Sequence, residues 1–259
     1  MPRVEAAARS HTGKVRENNE DNFFLNGVFM REQDRGAGGL FKGSYEDKRQ
    51  LYAVCDGMGG MDSGEAASLL TVSRLHTLLP AGLRGLPQNL RAFIDETSAA
   101  LQPTTEGARL AGCTLAMVYL DGARVSVAHL GDSRVYFKRD ALALTQVTED
   151  HSQAMWYARQ GILSPEEAEF HKSRNKLRRF IGAPVPEGRA PDITAPMRFK
   201  RGDVFLICSD GLSNMMSEYE MDAEIASGKS CSDACRSLVT LALARGGTDN
   251  VTALMVKIC

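Results

Sequence analysis

The sequence has little of what would direct a protein to a membrane or to a nucleic acid. Its 31 basic side chains are balanced by 32 acidic ones, and the formal net charge of −1 gives no reason to expect a nucleic acid or a membrane surface as a partner. No apolar run approaches the roughly 18 residues that span a bilayer. The N-terminus has no hydrophobic signal-peptide segment, so we expect a cytoplasmic protein. We also expect this protein to be a monomer.

The cysteine and histidine patterns that are typical of zinc sites are also missing. The five histidines form neither a His-x-His nor a His-Glu-x-x-His set. His129 lies inside a predicted strand, where we expect a hydrogen-bonded core histidine rather than a metal ligand. Most of the six cysteines lie in or beside apolar runs, where thiols behave as small buried hydrophobes. We therefore predict free thiols and a reducing compartment.

Aromatic residues are scarce, at 7% of the 259 residues, but the rest of the composition is that of an ordinary globular protein. Hydrophobic residues make up 43% and charged residues 24%, which excludes a disordered chain. The predicted elements come as strands, two helices, a run of strands and then mixed elements. This order indicates an α+β fold with a mainly antiparallel sheet, because alternating βαβ units are absent from it.

Strand and helix patterns can be assigned to short segments of the sequence. The predicted strands are Phe23–Phe29, Gln50–Cys55, Thr114–Leu120, Arg124–Leu130, Arg134–Lys138, Asp203–Cys208 and Val251–Ile258. The predicted helices are Ser63–Leu79, Leu86–Leu101, Ser152–Gln160, Pro165–Phe170 and Cys231–Ala244. Asp62 or Ser63 is the expected N-cap of the first helix, since Glu65 has capping-box spacing from Asp62.

Two segments differ in composition from the rest. Residues 31–49 are charged and rich in glycine, which predicts a long loop between two strands. Residues 149–196 are polar, and they predict a small appended subdomain. This second segment carries a cluster of basic side chains, whose simplest interpretation is a solvated helix face. The cluster consists of Lys172, Arg174, Lys176, Arg178 and Arg179.

Four times, a short apolar strand meets an aspartate that has a glycine close by. Three strands run directly into Asp56-Gly57, Gly131-Asp132 and Asp210-Gly211, whereas Gly247-Thr248-Asp249 precedes the last strand. A single Asp-Gly pair is usually a plain turn. Four carboxylates at the ends of buried strands can converge, however, and they would then repel one another unless protons or a cation neutralise them. Oxygen ligands of this kind favour Mg²⁺ or Mn²⁺.

One further charged stretch, residues 14–22, precedes the first predicted strand. It contains Arg16 close to Glu20 and Asp21. The planar guanidinium of arginine matches a phosphate oxyanion in two places at once. Carboxylate-bound metal ions together with an arginine are suited to the hydrolysis of a phosphate ester, because the metals polarise water and neutralise phosphoryl charge.

Five motifs, in this order, resemble those of the metal-dependent protein phosphatases, the type 2C serine/threonine phosphatases, of the bacterial single-domain kind. They are Arg16-x-x-x-Glu20-Asp21, Asp56-Gly57-Met58-Gly59-Gly60, Gly131-Asp132-Ser133-Arg134, Ser209-Asp210-Gly211-Leu212 and Gly247-Thr248-Asp249-Asn250-Val251. The resemblance implies a four-layer α-β-β-α sandwich, in which two antiparallel sheets are flanked by helices. It also implies one catalytic domain over residues 1–259, with a flap subdomain at about 149–191 and a loop insertion at about 31–49.

The resemblance implies two metal sites, for Mn²⁺ or Mg²⁺. Asp56 would bridge the two ions, and Asp210 and Asp249 would complete the first site. Glu20, through water, and the carbonyl of Gly57 would serve the second site. The implied reaction is hydrolysis of phosphoserine or phosphothreonine by a metal-activated water, on proteins phosphorylated by a serine/threonine kinase.

Other motif residues have implied roles around these two sites. Arg16 would bind the phosphate, and Asp21 and Asn250 would support the site. Asp132 would hold a third metal ion. Asn214 stands where many members of the family have another aspartate for that ion, and a neutral amide oxygen binds a dication more weakly, so we predict a weak or empty third site.

Three interpretations stay open at the level of the sequence. The first is an active phosphatase, the second is a non-catalytic pseudophosphatase of the same fold, and the third is another metal-dependent hydrolase without a protein substrate. The retained Arg16, Asp56, Asp210 and Asp249 favour the first. Met58 stands where many eukaryotic members have a histidine, so the general acid for the leaving group is unassigned.

Overall fold

The computed structural model describes residues 3–37, 39–59, 63–102 and 110–259. Its strands are β1 (Val4–His11), β2 (Asn22–Leu25), β3 (Leu40–Tyr45), β4 (Arg49–Cys55), β5 (Gly57–Met58), β6 (Gly112–Cys113), β7 (Leu115–Asp121), β8 (Arg124–Leu130), β9 (Arg134–Lys138), β10 (Thr145–Gln146), β11 (Asp192–Ile193), β12 (Met197–Arg198), β13 (Val204–Cys208) and β14 (Val251–Ile258). Its α-helices are α1 (Ser63–Arg74), α2 (Gly82–Ala100), α3 (Gln153–Arg159), α4 (Pro165–Phe170), α5 (Asp210–Ser213), α6 (Glu218–Ala226) and α7 (Cys231–Ala244). None of the described helices combines the length and the apolar character needed to cross a membrane.

The strands form two antiparallel sheets. One has the order β10-β9-β13-β14-β1-β3, and the other has the order β11-β8-β7-β4-β2, with β12 also paired to β8. The central strands alternate between two burial environments, as antiparallel strands between two layers should. On β4, Tyr52 and Val54 face the other sheet, whereas Leu51, Ala53 and Cys55 face the helices.

Helices cover the outer face of each sheet. On one side, α7 packs on β1 and β14 through Cys235, Leu238 and Val239. On the other side, α1 and α2 lie over the second sheet and contribute residues such as Val72 and Leu90. The predicted four-layer α-β-β-α sandwich is therefore confirmed.

The side of the first sheet that ends in β3 consists of two strands, β1 and β3, that the sequence did not predict. Strand β1 is rich in alanine and has a single β-branched residue, Val4, so it carries little of the signal for a strand, yet it pairs with both β14 and β3. Strand β3 and the 3-10 helix Glu32–Ala37 lie within residues 31–49. The prediction of a plain loop there is therefore wrong for Leu40–Tyr45, which closes one edge of the sheet.

The predicted strand Phe23–Phe29 is too long. The strand stops at Leu25 because Asn26 and Gly27 both have positive φ angles, 46° and 106°, which turn the chain back so that Leu25 and Val28 pair. Asn-Gly is the standard signal for such a turn. The Asn-Gly pair therefore ends the strand, although apolar residues continue on both sides of it.

The helices differ from the prediction mainly at their ends. The first begins at Ser63 but becomes a 3-10 helix over Leu75–Ala81. Asp62, one of the two expected N-caps, lies outside the described residues, as does Gly60 of the second motif. Helix α6 was not predicted, although Ser217 and Glu220 form a capping box at its start.

The antiparallel order brings the four aspartates to one end of the sandwich. Strands β4 and β8 flank β7 and run in the same direction, so their last residues lie at one end of the second sheet. In the first sheet, β13 and β14 are antiparallel neighbours, so the last residues of β13 and the first residues of β14 lie side by side at one end of the sheet. Asp56, Asp132, Asp210 and Asp249 stand at these four points.

Candidate metal centre

An open cavity of about 700 Å³ lies at this end of the sandwich. It contains eight of the nine site residues that the sequence predicts, and Asp21, the ninth, is fully buried beside it. The eight lining residues are Arg16, Glu20, Asp56, Gly57, Asp132, Asp210, Asp249 and Asn250. The residues are far apart in sequence, so the fold brings them together.

The backbone of Asp56 is fixed by Thr114. The amide of Asp56 donates to the Thr114 hydroxyl at 2.9 Å, and the amide of Thr114 donates to the Asp56 carbonyl at 2.9 Å. The Thr114 hydroxyl also lies 2.6 Å from the hydroxyl of Ser133, which follows Asp132. Thr114 therefore connects the turn of Asp56 to the turn of Asp132.

Two of the glycines are required by close contacts between chain segments. A Cβ atom on Gly57 would lie 2.1 Å from the carbonyl oxygen of Gly64, and one on Gly211 would lie 1.9 Å from the carbonyl oxygen of Asn250. Real Cβ atoms do not approach so closely. The sequence predicted that these glycines let backbone approach an ion, and the structure adds contact between neighbouring segments as a reason for them.

Asn250 connects three segments around the cavity. Its Oδ1 accepts a hydrogen bond from the amide of Glu20 at 2.8 Å. Its Nδ2 donates to the carbonyls of Thr12 and Asn18, both at 2.8 Å. The side chain therefore holds the loop before β2 against the start of β14, and it sets the position of Glu20.

Arg16 lies at the mouth of the cavity and pairs with Asp249. Its Nη2 is 2.9 Å from Asp249 Oδ2, while Asp249 Oδ1 accepts from the amide of Asn250 at 2.9 Å. The pKa of Arg16 is raised, chiefly by the charge of Asp249. The Arg16 side chain remains 54% exposed, so most of its guanidinium faces the opening.

Asp21 ends a chain of buried hydroxyl groups that the sequence did not predict. Asn19 Nδ2 donates to Ser10 Oγ at 2.9 Å, and Ser10 Oγ lies 2.7 Å from Thr252 Oγ1. Thr252 and Ser209 each donate to Asp21 Oδ2 at 2.7 Å. Because Asp21 can only accept when ionised, Thr252 must in turn accept from Ser10. Polar residues inside otherwise apolar strands were the signal for this chain.

The ionised form of the carboxyl groups in and beside the cavity is destabilised. Burial, and then the charges of neighbouring carboxylates, raise the pKa of Asp56 and Asp132 well above their usual range. The same causes raise the pKa of Asp210 to about 6, and burial raises that of Asp21 to about 7. Asp21 Oδ1 is buried with no hydrogen-bond partner among the described residues. A cation would relieve this repulsion, so the donor set fits a divalent metal ion.

The region of the third predicted metal site contains Asp132 and Asn214. The Nδ2 of Asn214 donates to Asp210 Oδ2 at 3.1 Å. The amide thus presents a hydrogen-bond donor to this carboxylate.

A second group of possible ligands lies behind the cavity, where His129, His151 and Asp192 bring their donor atoms within 4.8 Å of one another. His129 is buried, and its Nε2 lies 2.8 Å from the carbonyl of Glu149, as expected for a core histidine. His151 accepts from the amide of Gly131 at 3.1 Å and lies 3.1 Å from Asp192. Arg179 Nη1 lies 2.9 Å from Asp192 Oδ1 and 3.2 Å from His151 Nε2, so a guanidinium takes the place of a metal ion.

The chain is similar to known phosphatases over nearly its whole length. A model of the family described as Protein phosphatase 2C matches residues 31–243. The serine/threonine phosphatase stp of Listeria monocytogenes is 32% identical over 98% of this chain and 96% of its own length. The structure of the S. agalactiae serine/threonine phosphatase superposes with a TM-score of 0.83 at 27% identity, covering 99% of this chain and 100% of that one. The catalytic domain of the protein phosphatase PstP, solved with two manganese ions, gives a TM-score of 0.75 at 31% identity over 99% of each chain.

Proposed function

This chain belongs to the protein phosphatase 2C family, and we propose that it is an active serine/threonine protein phosphatase that hydrolyses phosphoserine and phosphothreonine in proteins. The observation that carries this proposal is the convergence of Asp56, Asp210 and Asp249 with Arg16 in one open cavity. A pseudophosphatase would be expected to have lost one of these carboxylates. The open, acidic cavity also suits a phosphate on a protein surface better than a small molecule enclosed on all sides.

The carboxylates would hold two divalent cations, Mn²⁺ or Mg²⁺. Asp56 would contact both, Asp210 and Asp249 would complete one site, and Glu20 and the Gly57 carbonyl would serve the other. The raised pKa values of Asp56 and Asp210 support this assignment, because buried carboxylates that repel one another gain most from a bound cation. When bound, the cations would supply polarisation of water and neutralisation of phosphoryl charge.

The other residues of the cavity bind and position the substrate. Arg16 is exposed enough to form a bidentate contact with the phosphate oxygens, which fixes the phosphorus relative to the carboxylates. Asn250 and Asp21 hold the segments that carry Glu20 and Asp210. Asp132 would bind a third, weaker cation. Met58 lines the cavity but has no proton to donate, so it takes no part in acid catalysis.

The proposal extends to the organisation and setting of the protein. Residues 149–191 would form a flap beside the cavity within a single catalytic domain, since Asn175, Leu177 and Phe180 line that cavity. The six cysteines are free, and most are buried, which suits a reducing cytoplasm. The substrates would be proteins phosphorylated by a serine/threonine kinase, and the enzyme would act as a monomer.

Hydrolysis of p-nitrophenyl phosphate and of a phosphothreonine peptide tests the proposal, with Mn²⁺, with Mg²⁺ and with a chelator. We expect turnover that requires a divalent cation. Asp56→Asn and Asp249→Asn should each reduce kcat by about a hundred- to a thousandfold, as the loss of a preorganised electrostatic group does. Arg16→Ala should raise KM for both substrates.

Arg236→Ala is a matched control for the arginine variant, because Arg236 is an exposed residue of α7 whose one ion pair among the described residues is with Asp233 of the same helix. This control variant should leave both kcat and KM unchanged. The absence of metal-dependent turnover by the wild type would refute the enzymatic proposal and favour a binding module. Full activity of Asp249→Asn would refute the assignment of the first metal site.

A further inference from the structure

The segment that lines one side of the cavity through Asn175 and Leu177 carries four exposed basic side chains, Lys172, Arg174, Lys176 and Arg178, which we call the basic rim. We propose that the basic rim selects phosphorylated protein segments that carry acidic residues on one side of the phosphoresidue. This inference rests on the proposed phosphatase function and adds a substrate class to it. The sequence offered only a solvated face as the simplest interpretation of these residues.

The basic rim is adjacent to the cavity. Asn175 and Leu177, which alternate with its members, line the cavity of Asp56 and Asp210. Arg174 and Asn175 also line a second cavity of about 320 Å³, which shares Asp132 and Asp210 with the first. An extended peptide advances by roughly 3.3 Å per residue, so the residues that flank a bound phosphoresidue would extend past the cavity over the neighbouring surface.

The members of the basic rim have no carboxylate partner among the described residues. Arg174 contacts only the Asn175 side chain and the Glu169 carbonyl, and Arg178 contacts Gln153. The neighbouring cations Arg159 and Arg179 are different, because they pair with Glu149 and Asp192 at 2.6 and 2.9 Å. Exposed, unpaired cations beside a substrate cavity are free to meet anions from another molecule.

The backbone of the basic rim is held in place at Lys176 and Arg178, and one of its four cations is also fixed by a ring contact. The amide of Gln153 donates to the carbonyl of Lys176 at 2.8 Å, and the amide of Arg178 donates to the carbonyl of His151 at 2.8 Å. The guanidinium of Arg178 also lies over the ring of Trp156, 4.4 Å from its centroid. A fixed charge loses less conformational entropy on binding than a mobile one.

Elsewhere around the two cavities, the cationic side chains Arg16 and Arg134 are paired with Asp249 and Asp150, and the other charged residues are acidic. Glu17 lines the first cavity, and Glu169 and Glu218 line the second. An acidic peptide residue would therefore be attracted on the side of the basic rim and repelled elsewhere. The predicted preference is for acidic residues on one side of the phosphoresidue only, which distinguishes it from a general attraction of anions.

Initial rates on a set of phosphothreonine peptides test this inference. One peptide carries a run of glutamates before the phosphoresidue, one carries the run after it, and one is neutral on both sides. Further peptides carry lysines in place of the glutamates. One placement of glutamates should raise kcat/KM about three- to tenfold over the neutral peptide, because an exposed ion pair is worth less than about fivefold and two or three would act together. The advantage should decrease at high salt.

The double variant Lys172→Glu/Lys176→Glu should abolish or reverse the advantage and leave kcat/KM for p-nitrophenyl phosphate unchanged. Its matched control is Lys200→Glu/Arg201→Glu, which changes the net charge by the same amount. These exposed residues lie between β12 and β13, at the opposite ends of β8 and β13 from Asp132 and Asp210. The control should keep the full preference for acidic peptides.

The outcomes separate this inference from the function on which it rests. Metal-dependent turnover of all peptides at equal rates would overturn the inference and leave the phosphatase function intact. An equal loss of preference in the control variant would also overturn it, because a long-range field would then explain the effect. Equal peptide rates combined with binding of the wild type, but not the double variant, to phosphatidylserine vesicles would assign the cations to a membrane surface. A complete lack of metal-dependent hydrolysis would overturn both.

Discussion

Removing one charge from the metal cavity should stabilise the metal-free protein while it abolishes catalysis. Asp210→Asn keeps the shape of the side chain and can still accept the hydrogen bond from Asn214. It removes a carboxylate whose pKa is raised to about 6 from an ordinary 3.8, first by burial and then by the charge of Asp249. The native state therefore resists ionisation of this group, whereas the unfolded chain does not.

The size and pH dependence of the effect follow from the two pKa values. They differ by about two pH units, and each unit corresponds to about 1.4 kcal/mol, so ionised Asp210 lowers the free energy of unfolding by at most about 3 kcal/mol. A raised native pKa makes stability fall as pH rises. The cost is small at pH 4, grows between the unfolded pKa of 3.8 and the native value of about 6, and is constant above about pH 7.

Urea and thermal denaturation in the presence of a chelator measure this cost. At pH 8, metal-free Asp210→Asn should be more stable than the wild type by up to about 3 kcal/mol, which is about 6–12 °C in Tm for a chain of this size. The difference should nearly vanish at pH 4. Added Mn²⁺ should stabilise the wild type more than the variant, because the wild type supplies the additional ligand charge.

Asp203→Asn is the matched control, at the other end of the same strand. The buried Asp203 carboxylate accepts from Arg139 at 2.8 and 2.6 Å, so its neutralisation should destabilise the protein by about 1–3 kcal/mol. The two Asp→Asn substitutions should thus have opposite signs. Our reasoning would be refuted if metal-free Asp210→Asn were less stable than the wild type at pH 8, or if its advantage did not change with pH.

Three further substitutions test the surroundings of the site. Thr252→Val should lower the free energy of unfolding by about 1–3 kcal/mol in urea denaturation, because it removes one of the two hydroxyl donors to the buried Oδ2 of Asp21, and Thr252→Ser should restore most of the loss. Burial lowers the pKa of His151 from 6.5 to about 4. As pH falls from 6.5 to 4, the free energy of unfolding of the wild type should therefore fall by up to about 3 kcal/mol relative to that of His151→Gln. A difference between the two proteins that does not change with pH would contradict this. Gly211→Ala should cost about 1–3 kcal/mol in thermal denaturation and lower kcat, because its Cβ would lie 1.9 Å from the carbonyl oxygen of Asn250; an unchanged Tm would count against this reason for the glycine.

The sequence predicted the central strands well because their burial is continuous. Arg124–Leu130 and Val251–Ile258 have the predicted bounds, and both consist almost entirely of buried residues. Strand β3 escaped prediction for the opposite reason. As an edge strand, it alternates half-buried and exposed residues and contains a glycine and a lysine, so its local pattern resembles a loop. Its pairing with β1 is a tertiary contact, and no local pattern records that contact.

The same distinction applies to the candidate site. Asp56, Asp132 and Asp210 could be predicted because each lies within two residues of the end of an apolar strand, and strand order then decides where they meet. The partner of Arg16 could not, because Asp249 lies 233 residues further along the chain and the two side chains meet only once β1 and β14 have paired.

The hydroxyl chain beneath the cavity shows why such supporting residues escape prediction. Ser10 and Thr252 belong to paired strands, and a threonine in a strand is ordinary, since β-branched residues favour strands. What distinguishes these two is their full burial against a carboxylate, which neither composition nor spacing reveals. A buried acceptor without donors would cost about 1–3 kcal/mol, so the folded protein needs these hydroxyls as much as the cavity needs its aspartates. Apart from Asp21 and Asn250, which belong to recognised motifs, the residues that hold the site in place are therefore found from the geometry, whereas the residues that carry its charge are found from the sequence.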